Sequence, residues 1–171
     1  MPTIDELAAE VADLGRRVHV AESVLQLQSL KARYGELVDQ RYPSGRVADE
    51  VTLARLAGQV ADLFTDDAVW DGGPGLGLAV GRAAIEERLR TPTLTFSRHL
   101  FVAPRIEVDG DRASARWDLL CPCRRGDTSL WMAGFEDDEY RRVGGHWLHR
   151  SMRLTTLFVS DVGRGWGDIL A

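Results

Sequence analysis

The hydrophobic period of this 171-residue chain changes once, near Pro92. Before it, apolar residues recur at steps of three and four; after it, they alternate with polar ones. The first period is one face of a helix and the second is one face of a strand. Helices therefore come first and an antiparallel meander follows. Strands are expected near Thr95 to Val102, Arg105 to Val108, Arg112 to Leu120, Ser129 to Arg142 and His146 to Phe158. Asp109-Gly110 and Gly144-Gly145 are the tight hairpin turns. This order makes an α+β domain, with helices covering one face of a curved sheet.

The helical half has its own subdivisions. Thr3 and Glu6 have the spacing of a capping box. Ile4, Leu7, Val11, Leu14, Val18, Ala21 and Leu25 then form a heptad seam, interrupted by Gly15. Such a seam packs on another helix or subunit, or else lays the helix on its own domain. The apolar pattern resumes with Leu27, Leu30, Tyr34, Leu37 and Val38 and stops at Pro43-Ser44-Gly45. A second helix is expected from about Ala48 to Phe64, a short strand at Ala68 to Trp70, and a third helix from Arg82 to Arg90. Gly72 to Gly77 is too rich in glycine for a regular element and is expected to be a loop. It lacks the lysine and hydroxyl residue of a phosphate-binding loop.

Composition narrows the function classes. Hydrophobic residues are 44% and charged residues 27%, the balance of a folded globular domain. The net charge of -5 and the absence of a basic block argue against nucleic acid and against anionic membrane as partners. Acidic residues follow Met1 where a signal peptide carries lysine or arginine, and no apolar run has the length of a membrane span. Cys121 and Cys123 are too close to bridge readily and too few for structural zinc. A cytoplasmic protein without metal is the expectation.

Few residues stand out as chemistry-bearing. His99 lies within Ser97-Arg98-His99-Leu100-Phe101. A lone strand histidine is either a structural hydrogen-bonder or a catalyst. Tyr34 and Asp39 close the first helical pattern, five residues apart, so they converge only if the helix ends or turns between them. Asp118 sits mid-strand, where aspartate is disfavoured; it is either a cavity acid or a solvent-facing ion-pair partner. Arg150 alternates with Leu148, Met152 and Leu154, so it reaches either a pocket or solvent at a strand edge. No Ser-His-Asp or Cys-His order is present.

Taken together, Leu30-x3-Tyr34-x4-Asp39, Leu63-Phe64-Thr65-Asp66-Asp67-Ala68-Val69-Trp70, Gly81-Arg82-Ala83-Ala84-Ile85, His99, Ile106 to Ala113, Asp138-Glu139-Tyr140 and Gly145 to Arg150 resemble the SnoaL-like branch of the nuclear transport factor 2-like superfamily. The resemblance spans roughly residues 26 to 158. It implies a cone: a strongly curved antiparallel sheet wrapped around N-terminal helices, enclosing an apolar pocket. Residues 1–25 would then be an extra helical arm and residues 26–171 the cone domain. Scytalone dehydratase, bile-acid 7α-dehydratase and polyketide cyclases belong to this group, and many members need no cofactor.

By match of motif, the resemblance makes His99 and Asp39 a catalytic dyad, with Tyr34 binding the substrate oxygen. Asp118, Arg150, Trp70 and Trp117 are its expected substrate-binding residues. The implied activity is that of a cofactor-independent lyase or isomerase acting on a small apolar carbonyl compound. Two alternatives stand beside it: a non-catalytic binding module, and a structural β-type subunit of an oxygenase. Two features depart from the family pattern. Gln40 to Asp62 is long, and Pro122 interrupts a strand, implying a bulge or an edge. A homodimer or homotrimer is expected.

Overall fold

The computed structural model describes residues 2–162. Thr3 opens the first helix, α1 (Ile4–Asp39), with the expected capping box. Its hydroxyl accepts from the Glu6 N–H at 3.2 Å, and the Glu6 carboxylate accepts from the Thr3 N–H at 2.7 Å. Gly15 does not break the helix, which continues for 36 residues. Residues 2–22 are exposed throughout, and Ile4 is 85% exposed. The heptad seam is therefore open along its length. Burial starts at Ser23, whose hydroxyl accepts from Arg142 at 2.8 Å. From there Leu27, Lys31, Tyr34 and Val38 form the inward stripe. The expected C-terminal boundary of the cone at residue 171 lies outside the described residues.

Asp49 caps α2 (Glu50–Ala61), accepting from the Thr52 N–H at 2.7 Å. This helix ends three residues earlier than its apolar pattern suggests. Phe64 instead begins β1 (Phe64–Asp71), where it pairs with His149. The glycine-rich segment is not wholly a loop. Gly73–Leu76 makes one helical turn, α3, which tolerates Pro74 because an early helical N–H has no partner anyway. Leu78–Val80, β2, then pairs with β1, and α4 (Arg82–Arg90) follows.

The remaining strands are β3 (Phe96–Ser97), β4 (Leu100–Asp109), β5 (Arg112–Arg125), β6 (Thr128–Val143) and β7 (His146–Asp161). The sheet runs β2-β1-β7-β6-β5-β3, with β4 also on β5. Every pair is antiparallel except β1–β7. The gap expected at residues 103–104 is a bulge inside β4, at Ala103 with φ 48°. Two further slips bend β7 across β6. At one of them a Cβ on Gly134 would sit 2.2 Å from the Thr155 carbonyl oxygen, so only glycine permits this approach. The result is a curved sheet with the C-terminal half of α1, together with α2 and α4, packed into its concave side. Among the described residues, no helix is long and apolar enough to cross a membrane.

Pro122 does not bulge β5, which stays in register with β6 from end to end. It lies where the neighbour on the other side changes from β4 to β3. A missing N–H breaks no ladder there. This interruption is also where the chain leaves the sheet to present His99.

Candidate active site

Asp39 is the last residue of α1, and His99 lies in the two-residue gap between β3 and β4. The carboxylate meets the histidine on two sides. Oδ1 is 2.7 Å from His99 Nδ1, and Oδ2 accepts from the His99 backbone N–H at 2.9 Å. The Ser97 hydroxyl reaches Oδ1 at 3.4 Å. Both side chains are mostly enclosed, Asp39 at 7% and His99 at 12% exposure. A carboxylate only accepts, so the neutral imidazole carries its proton on Nδ1. Nε2 is then a free base, and no described residue hydrogen-bonds it.

His99 forms part of the wall of an internal cavity of about 50 Å³ with Tyr34, Val38, Trp70, Met152 and Glu136. Gly72, Leu76 and Leu94 also line a neighbouring apolar recess of about 70 Å³. Tyr34 and Asp39 do not share a helix face. Asp39 stands behind His99, in a groove with Arg98 and Phe101, while Tyr34 enters the cavity. The histidine therefore bridges the two. The Trp70 indole N–H donates to the Tyr34 hydroxyl oxygen at 3.1 Å, which leaves the Tyr34 proton free to point elsewhere. Burial, and then the nearby Glu136, push the Tyr34 phenol well above its ordinary pKa, so it stays a donor.

Of the other expected binding residues, Trp70 reaches the cavity and three do not. Trp117 is buried in a separate cluster with Leu27 and Trp147, donating to the Tyr140 hydroxyl at 3.0 Å. Asp118 lies on the opposite face of β5 from Trp117 and Leu119, as strand alternation requires. Arg150 points away from the cavity and holds Asp67, with Nε 3.3 Å from its carboxylate and Nη1 3.1 Å from its carbonyl oxygen. Alternation placed Arg150 with Met152 because it took β7 as regular. Opposite Glu139 and Tyr140 the register slips at Arg150, and the inward phase changes from Trp147 and His149 to Met152 and Leu154.

The sequence reading passed over a buried charged cluster. Lys31 is 1% exposed and bonds both Glu136 and Asp138, the latter at 2.7 Å. The Tyr140 hydroxyl donates to Asp138 at 2.7 Å. His149 packs in the same cluster, its ring stacked 5.0 Å from Phe64, with neither ring nitrogen bonded to a described residue. Burial raises the Asp138 carboxyl to about 6, although Lys31 opposes it. Burial and then Lys31 hold His149 well below the usual imidazole range. Burial also works against the Lys31 ammonium, but Asp138 and Glu136 outweigh it and raise its pKa. Two signals were present. Lys31 interrupts the apolar stripe Leu27-Tyr34-Val38, and Glu136 and Asp138 alternate with Met132 and Tyr140 on one face of β6.

The SnoaL-like domain family matches residues 19–153. No protein with a curated description matches. Among solved structures, a hexachlorocyclohexane dehydrochlorinase (LinA, type 2) superposes with a TM-score of 0.69 at 22% identity, covering 88% of this chain and 93% of that one. A proposed aromatic ring hydroxylase from Novosphingobium aromaticivorans gives 0.66 at 25%, covering 83% and 94%. A proposed scytalone dehydratase from the same species gives 0.67 at 19%, covering 84% and 89%. These likenesses establish the cone.

Proposed function

Since the chain belongs to the SnoaL-like domain family, we propose that it is an acid–base lyase or isomerase acting on a small, largely apolar carbonyl compound. The observation that carries this is the Asp39–His99 contact at the wall of an apolar cavity. His99 Nε2 removes a proton from the carbon next to the carbonyl, and Asp39 holds the resulting imidazolium. The Tyr34 hydroxyl donates to the developing enolate oxygen, its own oxygen held by Trp70. Loss of a β-substituent completes an elimination, and return of the proton elsewhere completes an isomerisation. The enclosed cavity keeps water from competing for these bonds. This chemistry invokes no cofactor. The dehydrochlorinase and dehydratase among the structural neighbours support an elimination.

The test is a panel of β-hydroxy and β-halo cyclic ketones and their unsaturated isomers, assayed for elimination or isomerisation. Turnover is expected with the wild type and not with His99→Ala, whose circular dichroism and melting should match the parent. Activity that survives in His99→Ala overturns the assignment. Tight binding of panel members without turnover favours a binding module instead.

A further inference from the structure

We propose that Glu136 is a second substrate anchor in the cavity, accepting a hydrogen bond from a hydroxyl group on the substrate away from the reacting carbon. This deepens the acid–base reading and rests on it for the identity of the site. Glu136 sits on the inward face of β6 and lines the same cavity as His99 and Tyr34. Lys31 binds only one of its oxygens, Oε2. The other has no partner among the described residues and is not sealed away, unlike Asp138 Oδ1. An unpaired acceptor thus borders a cavity whose wall is largely apolar but also carries Tyr34, Arg41, Arg88 and His99. Tyr42 lines this cavity too, although its hydroxyl is sealed within the protein. It is buried and makes no hydrogen bond of normal geometry, with Ser97 beside it. Polar groups left unpaired in a closed site are costly and reward a ligand that satisfies them.

The chemistry selects the ligand class. A carboxylate accepts but does not donate, so it binds hydroxyl groups and rejects ethers. Lys31 also fixes the carboxylate rotamer, which lowers the ordering cost on binding. The favoured substrate is therefore a hydroxylated carbonyl compound. Its carbonyl meets Tyr34, its acidic carbon meets His99, and its hydroxyl meets Glu136.

The test uses cyclohexanone, 4-hydroxycyclohexanone and 4-methoxycyclohexanone as probes, with binding followed by NMR titration. The wild type should bind the hydroxy ketone about tenfold more tightly than cyclohexanone, and the methoxy ketone no better than cyclohexanone. Glu136→Gln should abolish the preference, while His99→Ala should keep it. Equal affinity for the hydroxy and methoxy ketones in the wild type overturns the proposal without needing any variant. A preference that persists in folded Glu136→Gln also overturns it. A preference that depends on Glu136, in a protein with no turnover on any panel member, would keep the anchor and discard the acid–base reading. Turnover without the preference would do the reverse.

Discussion

Asp39 holds His99 through both the ring and the backbone, at 2.7 Å to Nδ1 and 2.9 Å to the amide nitrogen. The double grip fixes where the histidine sits and which nitrogen carries the proton. It also places the carboxylate outside the cavity, behind the base.

Asp39→Asn should therefore affect chemistry more than binding. The amide can turn its NH2 toward Nδ1 and stabilise the wrong tautomer. The expected loss in kcat is about 10²–10⁴-fold, the range for general acid–base help, with KM little changed. Nitrogen-15 NMR of the His99 ring provides a readout that needs no substrate. The wild type should show the Nδ1–H tautomer, and Asp39→Asn a shift toward Nε2–H. An unchanged tautomer together with an unchanged kcat would refute the role.

Lys31 holds two buried carboxylates, so removing its charge should be costly. Lys31→Met leaves Glu136 and Asp138 without a counter-charge, a change that typically destabilises by about 3–5 kcal/mol. The cost should depend on pH with a definite sign. Asp138 already holds its proton up to about pH 6, and loss of Lys31 raises that value further. A protonated carboxyl needs no counter-ion, so the variant should be less impaired at pH 5 than at pH 8. Urea denaturation at both values tests this; an equal penalty at both would contradict it.

Period and order were enough to read the architecture. The shift from 3.6 to two at Pro92 separated helices from strands, and the hairpin glycines located the turns. The catalytic candidates were legible because His99, Asp39 and Tyr34 follow a family spacing, even though α1 does not turn between Tyr34 and Asp39. Arg150 was misplaced for a physical reason. Alternation assumes a regular strand, and the slip at Arg150 moves that side chain out while moving His149 in. Lys31, Glu136 and Asp138 were missed for another reason. Each charge falls on an apolar face of its own element, but only the packing of β6 against α1 makes the three a cluster.

His149 should control part of the acid sensitivity. Its folded pKa is held well below the usual value, so under mildly acidic conditions the unfolded chain binds a proton that the native state refuses. That stabilising term is complete above about pH 6.5 and shrinks as pH falls, by about 1.4 kcal/mol per pH unit. His149→Phe preserves the stacking on Phe64 and has no such proton. Its stability relative to the wild type should rise steadily as pH drops below 6.5. Asp138, whose carboxylate lies 3.7 Å from His149 Nδ1, works in the opposite direction between about pH 4 and 6 and is present in both proteins. Parallel pH profiles for the two proteins would show that His149 titrates normally.

The open seam of α1 leads to a prediction about assembly. Ile4, Val11 and Val18 occupy the a positions and Leu7 and Leu14 the d positions. β-Branched residues at a with leucine at d favour two parallel strands. Arg17 and Glu22 fall at the g and following e positions, which face each other with opposite charge across such a pair. We propose that the arm pairs with that of a second copy of the chain to form a dimer. Val11 is 68% exposed and Val18 is 54% exposed, so changing them does not touch the cone's core. Val11→Glu combined with Val18→Glu should halve the mass measured by light scattering and leave the circular dichroism of the cone unchanged. A wild type that is already monomeric, or a double variant that keeps the wild-type mass, would show that the seam does not serve assembly.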